Sequence, residues 1–121
     1  MRRLPPSRGE IWSVFTPGQP EDPHLPRPAL VVSNDVRNRT EDDVLVVPIF
    51  SLGRIGPTHV PVRVGVGGLD HDSVLFCEEI TTLDMDVLGE GPLGGRVPDA
   101  LLRRVVRGVR IAIGDVVLPG E

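Results

Sequence analysis

The sequence predicts an α+β fold that is mainly β, with several short strands followed by one amphipathic helix near the C-terminal end. Three observations carry this. The 121 residues include one Trp, three Phe and no Tyr, so the core has to be built from Val, Leu and Ile, and β-branched residues favour strands. Val60, Val62, Val64 and Val66 alternate with His59, Pro61, Arg63 and Gly65, the period-two signature of a half-buried strand. Beyond residue 100 the period changes. Leu101, Leu102, Val105, Val109, Ala112 and Ile113 fall on one helical face, and Arg103, Arg107 and Arg110 form a separate stripe. The length fits a single domain over 1–121, with 1–8 as a flexible lead.

In chain order, Glu10 to Phe15 is the first expected strand, after the punctuation of Gly9. Thr16 to Pro28 holds five prolines, two acids, one His and one Gly, and reads as a stiff, exposed loop. Ala29 to Ser33 reads as a buried strand, and Asn34 to Asp43 as a polar turn. Val44 to Phe50 is a nearly continuous apolar run, hence a central strand, in which Pro48 demands a bulge or an edge. Ser51 to Pro57 is loop. Pro61 implies that one side of the Val60–Val66 strand is unpaired. Gly67 to Asp72 is a turn, and Ser73 to Thr82 a strand bent near Glu78 and Glu79. Asp84 to Leu88 suits a short helical turn and Gly89 to Gly95 a loop. Pro98 and Asp99 suit a helix start; Gly108 weakens that helix by about 1 kcal/mol relative to Ala, so packing has to compensate.

Composition excludes several function classes. The net charge of −4 argues against a general nucleic-acid coat protein, although all thirteen cations are Arg, the better residue for bidentate phosphate recognition. Cys77 is the only cysteine, so no internal disulfide is possible. One Cys and three dispersed His supply no zinc signature, and Asp70-His71-Asp72 is explained by a polar turn; no metal or cofactor is expected. Gly65, Gly67 and Gly68 are followed by no Lys-Ser/Thr pair, so they form no phosphate loop. No apolar run approaches a membrane span, and no apolar segment follows the N-terminal arginines to make a secretory signal. The expected location is the cytoplasm, with no membrane contact.

The informative stretch is Arg27-Pro28-Ala29-Leu30-Val31-Val32-Ser33-Asn34-Asp35, a cation at the mouth of a buried strand with a polar pair at its far end. Together with Gly9-Glu10-Ile11-Trp12, Val46-Val47-Pro48-Ile49, Pro57-Thr58-His59-Val60, and Asp72-Ser73-Val74 followed by Glu78, Ile80, Thr82, Leu83 and Asp84, it resembles the MazF/PemK toxins. The likeness runs in order from about Gly9 to the C-terminal helix. It implies an SH3-like barrel of the PemK/CcdB kind with a C-terminal amphipathic helix, working as a homodimer. It implies metal-independent, sequence-specific cleavage of single-stranded RNA, and neutralisation by a MazE-like cognate antitoxin whose extended tail occupies the RNA groove.

In that family the ribose 2′-OH attacks the adjacent phosphate, leaving a 2′,3′-cyclic phosphate and a 5′-OH. The resemblance makes Arg27 the catalytic arginine, whose guanidinium suits an anionic phosphorus centre. Arg is a poor base, so the family's acidic loop residue is sought in Gly18 to Pro26. Asp22 has the matching spacing, Glu21 matches if the prolines shift the register, and His24 has an ordinary pKa near ~6.5. Two departures stand out. The family's catalytic Thr position holds Phe50, with Ser51 next; alternation sends Ser51 to the opposite face unless Pro48 introduces a bulge. Phe50 suits either stacking on a base or the core. Where many relatives have Glu-Gln, this chain has Glu78-Glu79, a change suited to altering base preference or repelling phosphate. Asn34 and Thr58 lie near strand ends as RNA contacts, and structural capping accounts for each equally well. Two rival readings are a non-enzymatic CcdB-like toxin, which requires a Trp-Gly-Ile end where this chain has Leu118-Pro119-Gly120-Glu121, and an inactive barrel that binds a protein partner.

Overall fold

The computed structural model of the chain describes residues 4–15, 26–51 and 54–120. Strands β1 (Ile11–Val14), β2 (Arg27–Val31), β3 (Asp43–Phe50), β4 (His59–Val62), β5 (Ser73–Phe76) and β6 (Thr81–Asp84) and helices α1 (Asp35–Thr40) and α2 (Asp99–Ala112) follow one another along the chain. The strands form one antiparallel sheet in the order β1-β2-β3-β5-β4, with β6 on β3 beside β5. β3 is the spine. One edge pairs with β2 (Leu30 opposite Val47). The other pairs with β6 through residues 43–46 and with β5 through Ile49 and Phe50.

Strand alternation sorts the sheet into two cores. Leu30, Val47, Ile49, Val60, Val62 and Leu75 face one way, onto Ile11, Leu69, Val97 and the apolar stripe of α2 at Leu101, Leu102 and Val105. Ala29, Val31, Val44 and Val46 face the other way, onto Trp12, Val14 and Leu88. The outer edge of β1 is covered by the segment after β6: Phe15 N–H donates to the Val87 carbonyl at 2.9 Å and Leu93 N–H to the Ile11 carbonyl at 2.9 Å. Val14 forms an isolated bridge with Leu88. The sheet therefore curls toward a barrel without closing into one, and remains mainly β with a C-terminal helix, as expected.

Several local expectations are corrected. Residues 34–43 contain helix α1 instead of a turn. Asn34 caps it by accepting from Arg37 N–H at 2.8 Å. Its one buried residue is Asn38, tied to Ser33 by a hydroxyl-to-amide bond of 2.5 Å and by Asn38 Nδ2 to the Ser33 carbonyl at 3.0 Å. Leu45 N–H completes the knot by donating to Ser33 Oγ at 3.0 Å. The second strand begins at Arg27 and ends at Val31, two residues earlier than the apolar pattern indicates. The alternating valines make a strand only to Val62, and Val66–Gly68 is a 3₁₀ turn. The bend at Glu78 and Glu79 is a full break: Cys77–Glu79 is a 3₁₀ turn between β5 and β6. β4 ends the sheet order, so Pro61 sits on an edge strand, where a missing N–H is tolerated. Pro48 stays inside β3 without a bulge, opposite Ala29, where the other edge passes from β6 to β5.

Gly108 in α2 has a specific reason. A Cβ there would stand 2.6 Å from Cys77 Sγ, so glycine lets the helix approach the 3₁₀ turn that carries Glu78. That close packing is what offsets its poor helix propensity.

Candidate active site

Arg27 is the first residue of β2. Pairing with β1 sets it across from Val14, and the β2–β3 register, extended two residues past Ala29 and Pro48, leads from it to Phe50. Its side chain is half-buried and its Nε nitrogen is out of reach of solvent, so the head group is held by the fold and does not swing freely. Phe50 meets Phe76 of β5 edge-on, with ring centroids 4.7 Å apart. Phe76 in turn stacks on His59 of β4 at 4.2 Å and 25°. Alternation places Arg27, Phe50, Phe76 and His59 on the same face of four adjacent strands, opposite the face that α2 covers. Three inter-strand steps separate Arg27 from His59, roughly 14 Å.

At the far end of this row His59 is locked from both sides. Gly56 N–H donates to His59 Nδ1 at 2.9 Å. In the neutral ring the proton therefore sits on Nε2, which lies 2.8 Å from Glu78 Oε2. Thr58 Oγ1 donates to the other carboxylate oxygen, Oε1, at 2.9 Å. The imidazole is only 7% exposed, whereas the Glu78 side chain is 38% exposed. Partial burial pushes the Glu78 carboxyl upward, but hydrogen bonds from His59, its own backbone and Thr58, with the nearby imidazole charge, outweigh it and leave its pKa below the ordinary carboxylate value. The result is an ionised acceptor held by Thr58, in the turn before β4, and His59, the first residue of β4, and presented to solvent. Next to it, Cys77 is buried; burial first, and the Glu78 charge second, push its thiol up to about 11, so it is no nucleophile.

The sequence-derived candidates do not all converge. Thr58 and Glu78, twenty residues apart in the chain, share a hydrogen bond; Arg27 and Phe50 belong to the same sheet face. Glu79 is exposed beside Glu78. Asn34 lies at the start of α1, with its side chain engaged as the helix cap. Ser51 follows the last residue of β3. Phe50 pairs in register with Val74, so no bulge moves the hydroxyl onto the face of Arg27. Ser51 instead lines a cavity of about 570 Å3 shared with Arg63, Asp72, Ser73 and Arg104. Asp22, Glu21 and His24 lie outside the described residues. Sequence reasoning passes over His59 and Phe76. The available signal was the adjacency of Thr58 and His59 in one motif, with an acid recurring in the other. Among the described residues, no three His, Cys, Asp or Glu side chains gather closely enough to hold a metal ion, and no helix is long and apolar enough to cross a membrane.

The chain as a whole is similar to known proteins. Residues 7–113 match the family of PemK-like, MazF-like toxins of type II toxin–antitoxin systems. An endoribonuclease MazF of Staphylococcus saprophyticus is 35% identical over 88 residues, covering 69% of this chain and 72% of the relative. Among solved structures, an endoribonuclease in complex with its cognate antitoxin from a mycobacterial species matches with a TM-score of 0.76 at 27% identity, covering 93% of this chain and 99% of that one. MazF of Deinococcus radiodurans matches with a TM-score of 0.75 at 23% identity, over 93% of this chain and 99% of that chain, a likeness of fold.

Proposed function

Because the chain belongs to the PemK-like, MazF-like toxin family of type II toxin–antitoxin systems, we propose that it is the toxin of such a pair and works as an endoribonuclease on single-stranded RNA in the cytoplasm. The observation that carries the reading is the placement of Arg27, a fold-held guanidinium at one end of a half-buried aromatic row. Single-stranded bases suit such a row, since they stack on aromatic faces without a duplex to open. The solved complex of a mycobacterial endoribonuclease with its cognate antitoxin supports a protein antitoxin as the second partner, and the family resemblance supports a homodimer.

In the proposed reaction the substrate supplies its own nucleophile. The 2′-oxygen bonds to phosphorus, the bond from phosphorus to the 5′-oxygen breaks, and a 2′,3′-cyclic phosphate and a 5′-OH result. Arg27 stabilises the charge that accumulates on the phosphoryl oxygens. Asp22 or Glu21 accepts the proton from the 2′-OH, and the departing 5′-oxygen takes up a proton from water. Phe50, Thr58, Glu78 and Glu79 contact the RNA, with Asn34 at the far end of β2. Ser51, the hydroxyl next to Phe50, opens instead into the cavity toward the start of α2, so the family hydroxyl has no counterpart on the Arg27 face at this position.

Phe50 at the family's Thr position favours a second reading, a barrel that binds RNA or a protein without cutting. Incubating the purified protein with a long RNA in EDTA separates the two. Discrete fragments ending in cyclic phosphate are expected; intact RNA at high protein concentration would leave only the binding module.

A further inference from the structure

The Glu78 carboxylate is an acceptor built in advance. Each of its oxygens already receives one side-chain hydrogen bond, from Thr58 Oγ1 at 2.9 Å and from His59 Nε2 at 2.8 Å. An ionised carboxylate has about four acceptor positions, so both oxygens keep capacity on the solvent side. His59 itself is nearly closed to solvent. It is enclosed by the Gly56 N–H at 2.9 Å and by the Phe76 ring at 4.2 Å, and its remaining nitrogen is committed to Glu78. Beside the carboxylate runs the Phe76–Phe50 pair, which leads back toward Arg27.

We propose that Glu78 is a nucleobase reader selective for guanine, and that His59 is the positioning residue that fixes it. The chemistry is restrictive. An ionised carboxylate accepts and does not donate, so it favours a base edge made of N–H groups. Guanine alone offers two such groups side by side on its Watson–Crick edge, N1–H and the 2-amino group, matching two carboxylate oxygens. Adenine places the lone pair of N1 there, and uracil and cytosine each pair a donor with an acceptor. Single-stranded RNA leaves these edges free. Lying three strands from Arg27, Glu78 reads a base near the scissile phosphate and not the bond being cut. The inference rests on the nuclease reading for its substrate, yet it makes a claim of its own about binding.

The test measures binding and cutting separately. Short RNAs carrying guanine, inosine or adenine at one position in a uridine background are titrated by fluorescence anisotropy. Inosine lacks only the 2-amino group. The expected result is a preference for guanine over inosine of about tenfold at one position, the range for a bidentate base contact, with adenine weaker still. His59→Phe keeps a ring on Phe76 but removes both hydrogen bonds, and should bring the guanine-to-inosine ratio close to one. His59→Gln, which restores a donor, should recover part of it. A mere folding defect would weaken all three RNAs alike and leave the ratio where it was. Equal affinity for guanine and inosine in the parent protein, or an unchanged ratio in His59→Phe, overturns the inference. RNA that is cut without any guanine preference also overturns it and spares the nuclease reading. Guanine preference in a protein that never cuts RNA supports it and removes the nuclease.

Discussion

Arg27 is held in place ahead of the role proposed for it. With Nε out of reach of solvent and the backbone fixed in β2 between β1 and β3, its guanidinium does not have to be ordered at the moment of reaction, which is the condition for effective electrostatic stabilisation. Arg27→Ala is therefore expected to lower the rate of RNA cleavage by about 100–1,000-fold while far-ultraviolet circular dichroism stays native. Arg27→Lys should not restore the rate, because an ammonium lacks the planar fork. Retained cutting by the alanine variant would overturn the assignment. Cys77 makes the opposite case, a reactive residue type made inert. Burial and the Glu78 charge raise its pKa to about 11. A raised pKa means that the folded state holds the proton more tightly. Its contribution to stability is thus complete below the ordinary thiol pKa and is lost as pH rises through about 11. Thiol reagents at pH 8 should leave the native protein unmodified and label it in denaturant, as intact mass would show. Rapid labelling of the folded protein would contradict this burial.

Among the elements, α2 was legible because its apolar residues recur with helical period and its start carries Pro98 and Asp99. Its observed span, Asp99–Ala112, follows that pattern closely. Helix α1 was not legible for the converse reason. Its one buried residue is the polar Asn38, and its valine, Val36, is 64% exposed, so hydrophobic periodicity carries no information there. The one available sign was Asn34 as a helix cap. The same limit applies to the site. Arg27, Thr58 and Glu78 were found through motifs, whereas the locked imidazole of His59 depends on Gly56 and Phe76, whose relation to it is set only by strand register. Gly108 shows how an element-scale cost is explained by contact. Gly108→Ala would ordinarily gain about 1 kcal/mol of helix propensity, but its Cβ would lie 2.6 Å from Cys77 Sγ and 2.9 Å from Cys77 Cβ. A net loss of about 1–3 kcal/mol is expected, read from urea midpoints. Cys77→Ala in the same chain should recover part of it, since the nearer clash is with the sulfur. Strict additivity of the two changes would show that the helix is not seated on this turn.

At the scale of the molecule the question is whether two cores behave as one. The core under α2 and the core around Trp12 share no side chain, but both are fed by β3, which sends Val47 and Ile49 to the first and Val44 and Val46 to the second. Neither core can lose its wall while β3 remains paired on both edges, so the barrel-like sheet and its helix should unfold together. The sequence provides two independent probes. Its single Trp, Trp12, is 5% exposed in the second core, so tryptophan fluorescence follows that side. Ellipticity at 222 nm is dominated by α2, the longest helix among the described residues, and follows the first. At fixed protein concentration, which matters if the proposed homodimer forms, both signals should give the same urea midpoint and the same slope. Leu102→Ala strikes only the first core, where Leu102 is 1% exposed, and should cost about 2–5 kcal/mol. If β3 couples the cores, that loss moves the Trp12 transition by the same amount as the helical one. A fluorescence midpoint that stays in place while ellipticity falls early would mean that the helix and its core melt apart from the rest, and that the spine does not transmit the damage.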